Sequence, residues 1–159
     1  MTAHQAGGSP IQWLLVLLVL GLHFVFRPIL VEWSYGPDLL AGGLLLAALQ
    51  LRAGWAAGVG FTLGLIEGSM ALTALGPHMV VLTLAGFGAA RARDLLFSDS
   101  PTFLPVFLVI GVWVIDVAVA ATIAWPPTVL FVLLRAPIVA LGTAIVCWIA
   151  GRATGYFLR

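Results

Sequence analysis

Residues 103–124 read FLPVFLVIGVWVIDVAVAATIA, and Asp116 is the only charged side chain among them. A helix rises about 1.5 Å per residue, so this stretch would be about 33 Å long, enough to cross a hydrocarbon core about 30 Å thick. Similar apolar runs, each closed by Gly, Pro or Arg, recur six times between Ile11 and Ile149. The sequence therefore predicts an all-α, polytopic membrane helix bundle with about six transmembrane helices.

We place these helices at about residues 11–31, 37–51, 54–75, 76–90, 103–124 and 128–150. Six crossings of about 20 residues each use nearly the whole chain, so we expect a single integral membrane domain over residues 1–159. The second and fourth runs have only about 15 residues, or about 22 Å of helix. That length leaves open whether they span the membrane fully.

The composition points to membrane lipid as the surrounding medium. Only 8% of the residues are charged and 62% are hydrophobic, whereas a soluble domain carries about 25% charged residues. The net charge of +1 argues against nucleic acid as a partner, because such a surface needs clustered Lys and Arg. Cys147 is the single cysteine, which excludes an intramolecular disulfide and a cysteine-based metal site.

The arginines are unevenly divided between the two sides of the predicted bundle. With a cytoplasmic N-terminus, Arg27 lies near the outside and five arginines lie inside, which is the excess that cytoplasmic loops usually carry. Those five are Arg52, Arg91, Arg93, Arg152 and Arg159. We therefore predict that both termini are cytoplasmic.

The longest predicted connection runs from residue 91 to residue 102. It begins with three charged residues, Arg91, Arg93 and Asp94. We consider it a candidate cytoplasmic contact loop, and a plain solvated connection is the alternative.

Four polar residues fall at one predicted depth in the membrane. Glu67 and Asp116 lie about 20 Å from the cytoplasmic face, Arg135 lies about 12 Å below the outer face, and His23 reaches the same level. Arg27 could snorkel toward this level from the outer interface. Each charge would cost at least ~2.5–3.5 kcal/mol if it faced lipid. We therefore expect these groups to face inward and pair, with Arg135 and Glu67 as the pair to test. The layer is either a binding pocket or proton path, or an ion-pair network that fixes the register of the helices.

Two rows of small residues predict close helix packing. Gly60, Gly64 and Gly68 recur every four residues in the third helix, and the last helix carries the corresponding row Ala136, Ala140 and Ala144. Such rows let helix backbones approach closely in lipid. We therefore expect both rows to face neighbouring helices.

The sequence contains no recognisable catalytic signal. It has neither a Gly-x-Ser-x-Gly elbow nor a phosphate-binding Gly-rich loop with Lys, and its three histidines are far apart. We predict no catalytic residues, no metal site and no cofactor, so the chain is not expected to be an enzyme.

Four short motifs resemble one known family. They are RP at residues 27–28, PDLL at 37–40, GFTLGLIEG at 60–68 and ALGPH at 74–78. Together they resemble the family of the rod shape-determining protein MreD over about residues 27–93. Members of that family usually carry aspartate where this chain has Glu67, so the acid is retained with one more methylene group.

The resemblance implies a function in cell shape. It implies a non-enzymatic scaffold subunit of the bacterial elongasome in the inner membrane, which takes part in the regulation of peptidoglycan synthesis through protein–protein interaction. MreC would be its direct partner, and RodA with its penicillin-binding partner would be linked through it to the MreB cytoskeleton. The resemblance also implies a fold similar to the substrate-binding subunits of energy-coupling-factor transporters.

A transport subunit of that class is the alternative function. It would bind a vitamin or a metal ion, and the polar layer would be its ligand site. Such subunits typically carry an Ala-x-x-x-Ala row in the first helix. Residues 11–23 read IQWLLVLLVLGLH and contain no such row, which disfavours this alternative.

Overall fold

The computed structural model describes residues 10–32, 35–70, 75–96, 103–123 and 126–153. Within these ranges the chain forms six helices and no strand, which confirms the all-α prediction. The helices are α1 (Pro10–Glu32), α2 (Leu39–Ala48), α3 (Ala53–Met70), α4 (Leu75–Leu96), α5 (Phe103–Ile123) and α6 (Pro126–Ala153).

Three of the described helices are long and apolar enough to cross a membrane. Their candidate spans are Pro10–Ile29 in α1, Leu104–Ile123 in α5 and Leu130–Ala150 in α6. These spans identify a membrane protein. The number of crossings stays a prediction, because the glycine-rich α3 and the Arg-containing α4 do not reach the same hydropathy.

The second helix is shorter than its prediction. α2 has 10 residues, and all of them are buried. At about 1.5 Å per residue it is about 15 Å long, half the thickness of the hydrocarbon core. The predicted range 37–51 was too long at both ends, since Asp38 caps the first turn and the helix ends at Ala48.

Side chains close both ends of α2. The Asp38 carboxylate accepts the backbone N–H groups of Leu40 and Ala41, each at 3.0 Å. At the other end the Arg93 guanidinium donates to the carbonyl oxygen of Leu49 at 2.8 Å. These bonds satisfy backbone groups that a helix end leaves without a partner, which is required where water is excluded.

The fourth helix is longer than predicted. α4 continues to Leu96, so Arg91, Arg93 and Asp94 lie in its last two turns and not in a loop. The prediction ended the helix at residue 90 because the apolar run stops there. Arginines, however, are good helix formers and interact favourably with the helix dipole in the last turn. The candidate contact loop is therefore a helix end, and residues 97–102 lie outside the described ranges.

Glycines bring α3 and α4 into backbone contact. Gly60, Gly64 and Gly68 are buried. A Cβ atom at Gly60 would overlap the Leu82 carbonyl, one at Gly64 would lie 2.6 Å from the His78 carbonyl oxygen, and one at Gly68 would lie 2.7 Å from the Leu75 Cα. The absence of side chains on this face therefore sets the distance between the two helices.

α2 lies at the centre of the bundle. Its own glycines also face neighbouring helices. A Cβ atom at Gly42 would lie 2.8 Å from the Thr143 methyl group of α6, and one at Gly43 would lie 2.6 Å from the Leu20 side chain of α1. The Thr143 hydroxyl accepts the backbone N–H of Asp38 at 2.8 Å. α6 therefore both packs against α2 and holds the residue that begins it.

The alanine row of α6 is buried alongside this contact. Ala136, Ala140 and Ala144 are 1%, 0% and 4% exposed. Thr143 and Cys147, which face Gly42 from the same helix, are also fully buried. The small side chains of α6 thus belong to the bundle interior.

The glycine contact predicts a position-specific loss of stability. Gly60→Ala should lower the free energy of unfolding by about 1–3 kcal/mol, because the added methyl group overlaps the Leu82 carbonyl. Gly58→Ala is the matched control in the same helix, since nothing lies within 4 Å of its added Cβ. Denaturant unfolding of the purified protein in one detergent measures the free energy of unfolding of both variants. Equal stability of the two variants would contradict this packing.

Candidate functional site

A half-open cavity of about 470 Å³ lies among the described helices. Seven ionisable side chains line it, from all six helices or the residues that precede them. They are His23, Arg27, Asp38, Glu67, His78, Asp116 and Arg135. All four residues of the predicted polar layer are therefore among the residues that line one cavity.

Glu67 of α3 holds one group of these side chains together. Its carboxylate accepts hydrogen bonds from the Arg27 guanidinium at 3.0 Å from Nη2 and 3.2 Å from Nε, and lies 3.3 Å from the His23 Nε2. His23 and Arg27 are four residues apart in α1, so they lie on the same face of that helix. This arrangement compensates the Glu67 charge within the bundle.

The partner of Glu67 corrects the pairing expected from the sequence. We expected Arg135 in that role, whereas the structure has Arg27 and His23. Position along the helix assigned Arg135 to the same layer as Glu67, but such a position does not say which helix faces are adjacent. Arg27, taken from the sequence as a residue near the outer interface, reaches the layer through its long side chain.

The ion pair also connects two helices that do not pack on each other. Among the described residues, α1 and α3 have no close backbone contact. The side chains of Arg27 and Glu67 are 23% and 16% exposed and bridge that gap. The pair therefore spans the cavity between α1 and α3.

A second group consists of Asp38, Asp116 and Arg135. The Asp38 and Asp116 carboxyl groups interact with each other, and Asp116 also interacts electrostatically with Arg135. The Arg135 Nε is buried without a hydrogen-bond partner. Unlike Glu67, these groups do not form a compact ion pair.

Sequence reasoning missed two members of the site. Asp38 and His78 were not assigned to the polar layer, yet both line the cavity. An aspartate directly before an apolar run is a typical helix N-cap, so the capping role of Asp38 was accessible from the sequence. The position of Asp38 opposite Asp116 was not accessible from the sequence, because it depends on how α2 and α5 pack.

The three residues proposed as a cytoplasmic contact have different surroundings. Arg93 is engaged with the end of α2 through Leu49. Arg91 is exposed, and its guanidinium lies 5.5 Å from the centre of the Phe87 ring. The side chain of Asp94 lies outside the described residues. Of the two described side chains, Arg91 is thus the one that is exposed.

The site brings together carboxylates and guanidinium groups, which bind charged groups of the opposite sign. Within the described residues, no group of three or more His, Cys, Asp or Glu side chains is placed to hold a metal ion. The lining therefore combines charged groups of both signs inside a bundle with apolar outer surfaces.

An all-helical membrane protein with a charged interior cavity is the class that the fold and the site define. The family model of the rod shape-determining protein MreD matches residues 8–150, nearly the whole chain. The chain therefore belongs to the MreD family, and this membership supports a role in rod-shape determination.

Two further comparisons gave no relatives. No curated protein matches the chain, and no solved structure matches it. The similarity to the substrate-binding subunits of energy-coupling-factor transporters therefore stays a prediction.

The cavity contacts predict which charged residues are energetically coupled. In a double-mutant cycle, Arg27→Gln and Glu67→Gln should couple by about 0.5–3 kcal/mol in the free energy of unfolding, because each single variant leaves its partner without a counter-charge. The cycle of Arg135→Gln with Glu67→Gln should give a smaller coupling, since those side chains form no ion pair with each other. Denaturant unfolding in detergent provides the four free energies of each cycle. Additive losses for Arg27 and Glu67 would disprove the pairing.

Proposed function

We propose that this protein is a non-enzymatic scaffold subunit of the bacterial cell-elongation machinery. In this role it binds MreC and helps to couple the peptidoglycan synthases, RodA and its penicillin-binding partner, to the MreB cytoskeleton. The observation that carries the proposal is the match of residues 8–150 to the MreD family.

The distribution of side chains supports a scaffold that works through its helix surfaces. The ionisable residues of the layer face the interior cavity, whereas long apolar side chains face outward. Leu17 of α1 and Leu134 of α6 are 66% and 74% exposed. A transmembrane helix of a single-pass partner such as MreC can pack against such surfaces without breaking an internal ion pair.

The proposed location is the inner membrane, crossed several times, with both termini in the cytoplasm. The contact between Arg93 and Leu49 supports this orientation, because it brings the ends of α2 and α4 to the same side of the bundle. Arg52 at the start of α3 and Arg91 near the end of α4 lie on that side as well. Cytoplasmic faces carry such an excess of arginine.

A binding subunit of a vitamin or metal-ion transporter is the second candidate. The cavity of about 470 Å³ with its charged lining favours it. Against it stand the family match and the first helix, which lacks the Ala-x-x-x-Ala row of such subunits. The proteins bound to the chain in its own membrane distinguish the two functions.

The scaffold function predicts a specific set of bound proteins. A photo-crosslinking residue placed at Leu17, Trp55 or Leu134, which lie on the outer faces of α1, α3 and α6, should capture an MreC-like protein from at least one position. Leu46, which is fully buried, is the matched negative control. Mass spectrometry of the affinity-purified adducts identifies the partner. Capture of paired ATPases with a coupling subunit would instead establish the transport function.

The orientation predicts opposite labelling of two positions. In a Cys147→Ala background, Tyr35→Cys lies after α1 on the outer side and Leu95→Cys lies near the end of α4 on the cytoplasmic side; the native residues are 50% and 83% exposed. A membrane-impermeant maleimide should label Tyr35→Cys in intact spheroplasts and Leu95→Cys only after permeabilisation. The unmodified protein is the control, because its Cys147 is fully buried. The reverse pattern would invert the topology.

A further inference from the structure

The charges of the described residues are separated along the bundle. The acidic side chains that the structure describes all line the cavity; they are Asp38, Glu67 and Asp116. Three arginines are exposed and lie outside the cavity lining; they are Arg52, Arg91 and Arg152. None of these three forms an ion pair with a described residue. Their positive charges are therefore available to an anion from outside the chain.

α3 and α4 carry two of these arginines to the same end of the bundle. The glycine contacts show that the two helices are antiparallel, with Gly86 of α4 packed on the carbonyl of Ala56 in α3. Four residues before Ala56 and four residues after Gly86, Arg52 is level with Ala90. Arg91 follows directly, so Arg52 and Arg91 lie at one level.

α6 carries the third arginine to this end. The Asp38 N–H donates to the Thr143 hydroxyl, which lies 105 positions further along the chain. A Cβ atom at Gly42 would lie 2.9 Å from the Cys147 Sγ, which is the same separation along the chain. α2 and α6 therefore run in the same direction, and this separation places Arg152 beside the last turn of α2.

The end of α2 connects the three positions. Arg93, two residues after Arg91, donates to the carbonyl oxygen of Leu49 just beyond α2. The ends of α2, α4 and α6 and the start of α3 therefore meet within about one helical turn, or about 5 Å, along the bundle. The three exposed arginines form a band at that level, which we call the arginine band.

Two members of the arginine band lie over aromatic rings of their own helices. The Arg91 guanidinium lies 5.5 Å from the centre of the Phe87 ring, and the Arg152 guanidinium lies 5.5 Å from the centre of the Trp148 ring. A cation–π contact uses the face of the guanidinium and leaves the N–H donors in its plane. Those donors match the oxygens of a phosphate, which can accept two of them at once.

The surroundings of the arginine band are apolar on the side toward the middle of the bundle. Within two helical turns of each arginine lies a large exposed apolar side chain: Trp55 is 73% exposed, Leu84 64% and Ile149 57%. In a membrane protein such side chains contact lipid, and tryptophan is typical of the headgroup level. The arginine band therefore lies at the boundary between hydrocarbon and headgroups.

We propose that the arginine band binds the headgroup of an anionic phospholipid. The phosphate accepts hydrogen bonds from the guanidinium groups, and the acyl chains lie along the neighbouring apolar side chains. An acidic protein segment would instead cover those side chains with polar backbone, which costs free energy unless every polar group finds a partner. In the proposed orientation this end is cytoplasmic, where the leaflet carries negative surface charge. The lipid site does not depend on the scaffold function.

The charge of the headgroup is the first test. Purified full-length protein in a neutral detergent is titrated with dioleoyl phosphatidylglycerol or dioleoyl phosphatidylcholine, and native mass spectrometry gives the fraction of protein with bound lipid. Both lipids have the same acyl chains and a phosphodiester, but the choline ammonium cancels the charge. Phosphatidylglycerol should bind at least about fivefold more tightly, since one arginine near a membrane surface contributes about that factor. Its affinity should fall with added salt.

Variants locate the site. The double variant Arg52→Gln with Arg91→Gln should weaken phosphatidylglycerol binding by about tenfold or more, and Arg152→Gln by about fivefold. Binding of phosphatidylcholine should stay unchanged. The double variant Arg52→Lys with Arg91→Lys is the matched control, because it keeps both charges and should keep the preference for phosphatidylglycerol. Size-exclusion chromatography shows whether each variant is folded and monodisperse.

Three results would overturn the proposal. One is equal affinity of the unmodified protein for the two lipids, or an affinity for phosphatidylglycerol that salt does not change; neither result needs a variant. Another is a preference for phosphatidylglycerol that the folded glutamine variants retain. The third is a loss of MreC or of another protein from these variants with unchanged lipid binding, which would make the arginine band a protein contact. Photo-crosslinking from Leu17 and Leu134 tests the scaffold function separately, so failure of one proposal is distinguishable from failure of the other.

Discussion

The cost of a charge in hydrocarbon governs this bundle. A charged side chain at the centre of a bilayer costs at least ~2.5–3.5 kcal/mol on insertion scales, and Glu67 avoids this cost through Arg27 and His23. That solution constrains two helices at once. α1 must turn the face that carries both residues inward, and α3 must direct Glu67 toward it while its glycine face packs against α4. The ion pair with α1 and the glycine contact with α4 thus both fix the orientation of α3.

The short central helix explains why a cavity exists at all. α2 is about 15 Å long, so it fills only about half of the hydrocarbon depth. The residues before it, Gly36, Pro37 and Asp38, line the cavity. Because backbone groups need partners where water is excluded, the Asp38 cap and the Arg93 contact make such a short helix possible. The same Asp38 then supplies one of the charged groups of the cavity.

Hydropathy and residue type predicted the helices well and their contacts poorly. The spans of α1, α5 and α6 follow from apolar runs, and their bounds differ by a few residues from the prediction. The ends of α2 and α4 depended on capping and on arginines that continue a helix beyond its apolar run, and hydropathy reports neither. For the site, residue number along a helix gives depth, so four polar residues could be assigned to one layer. The choice of Arg27 over Arg135 as the partner of Glu67 depends on helix order and rotation, which a single sequence does not contain.

The connection between α1 and α3 has a consequence for how the outer surface and the cavity communicate. Since these helices lack close backbone contact in the described part of the chain, the pair of Arg27 with Glu67 holds the position of α1 relative to α3 across the cavity. A helix packed on the outer face of α1 would therefore act on this one contact, because any shift of α1 changes the distance between the Arg27 guanidinium and the Glu67 carboxylate. Loss of that contact would leave the Glu67 charge without its arginine partner inside the bundle, which is costly where water is excluded. The charge pair thereby restrains the packing of a helix that has no backbone contact with α3.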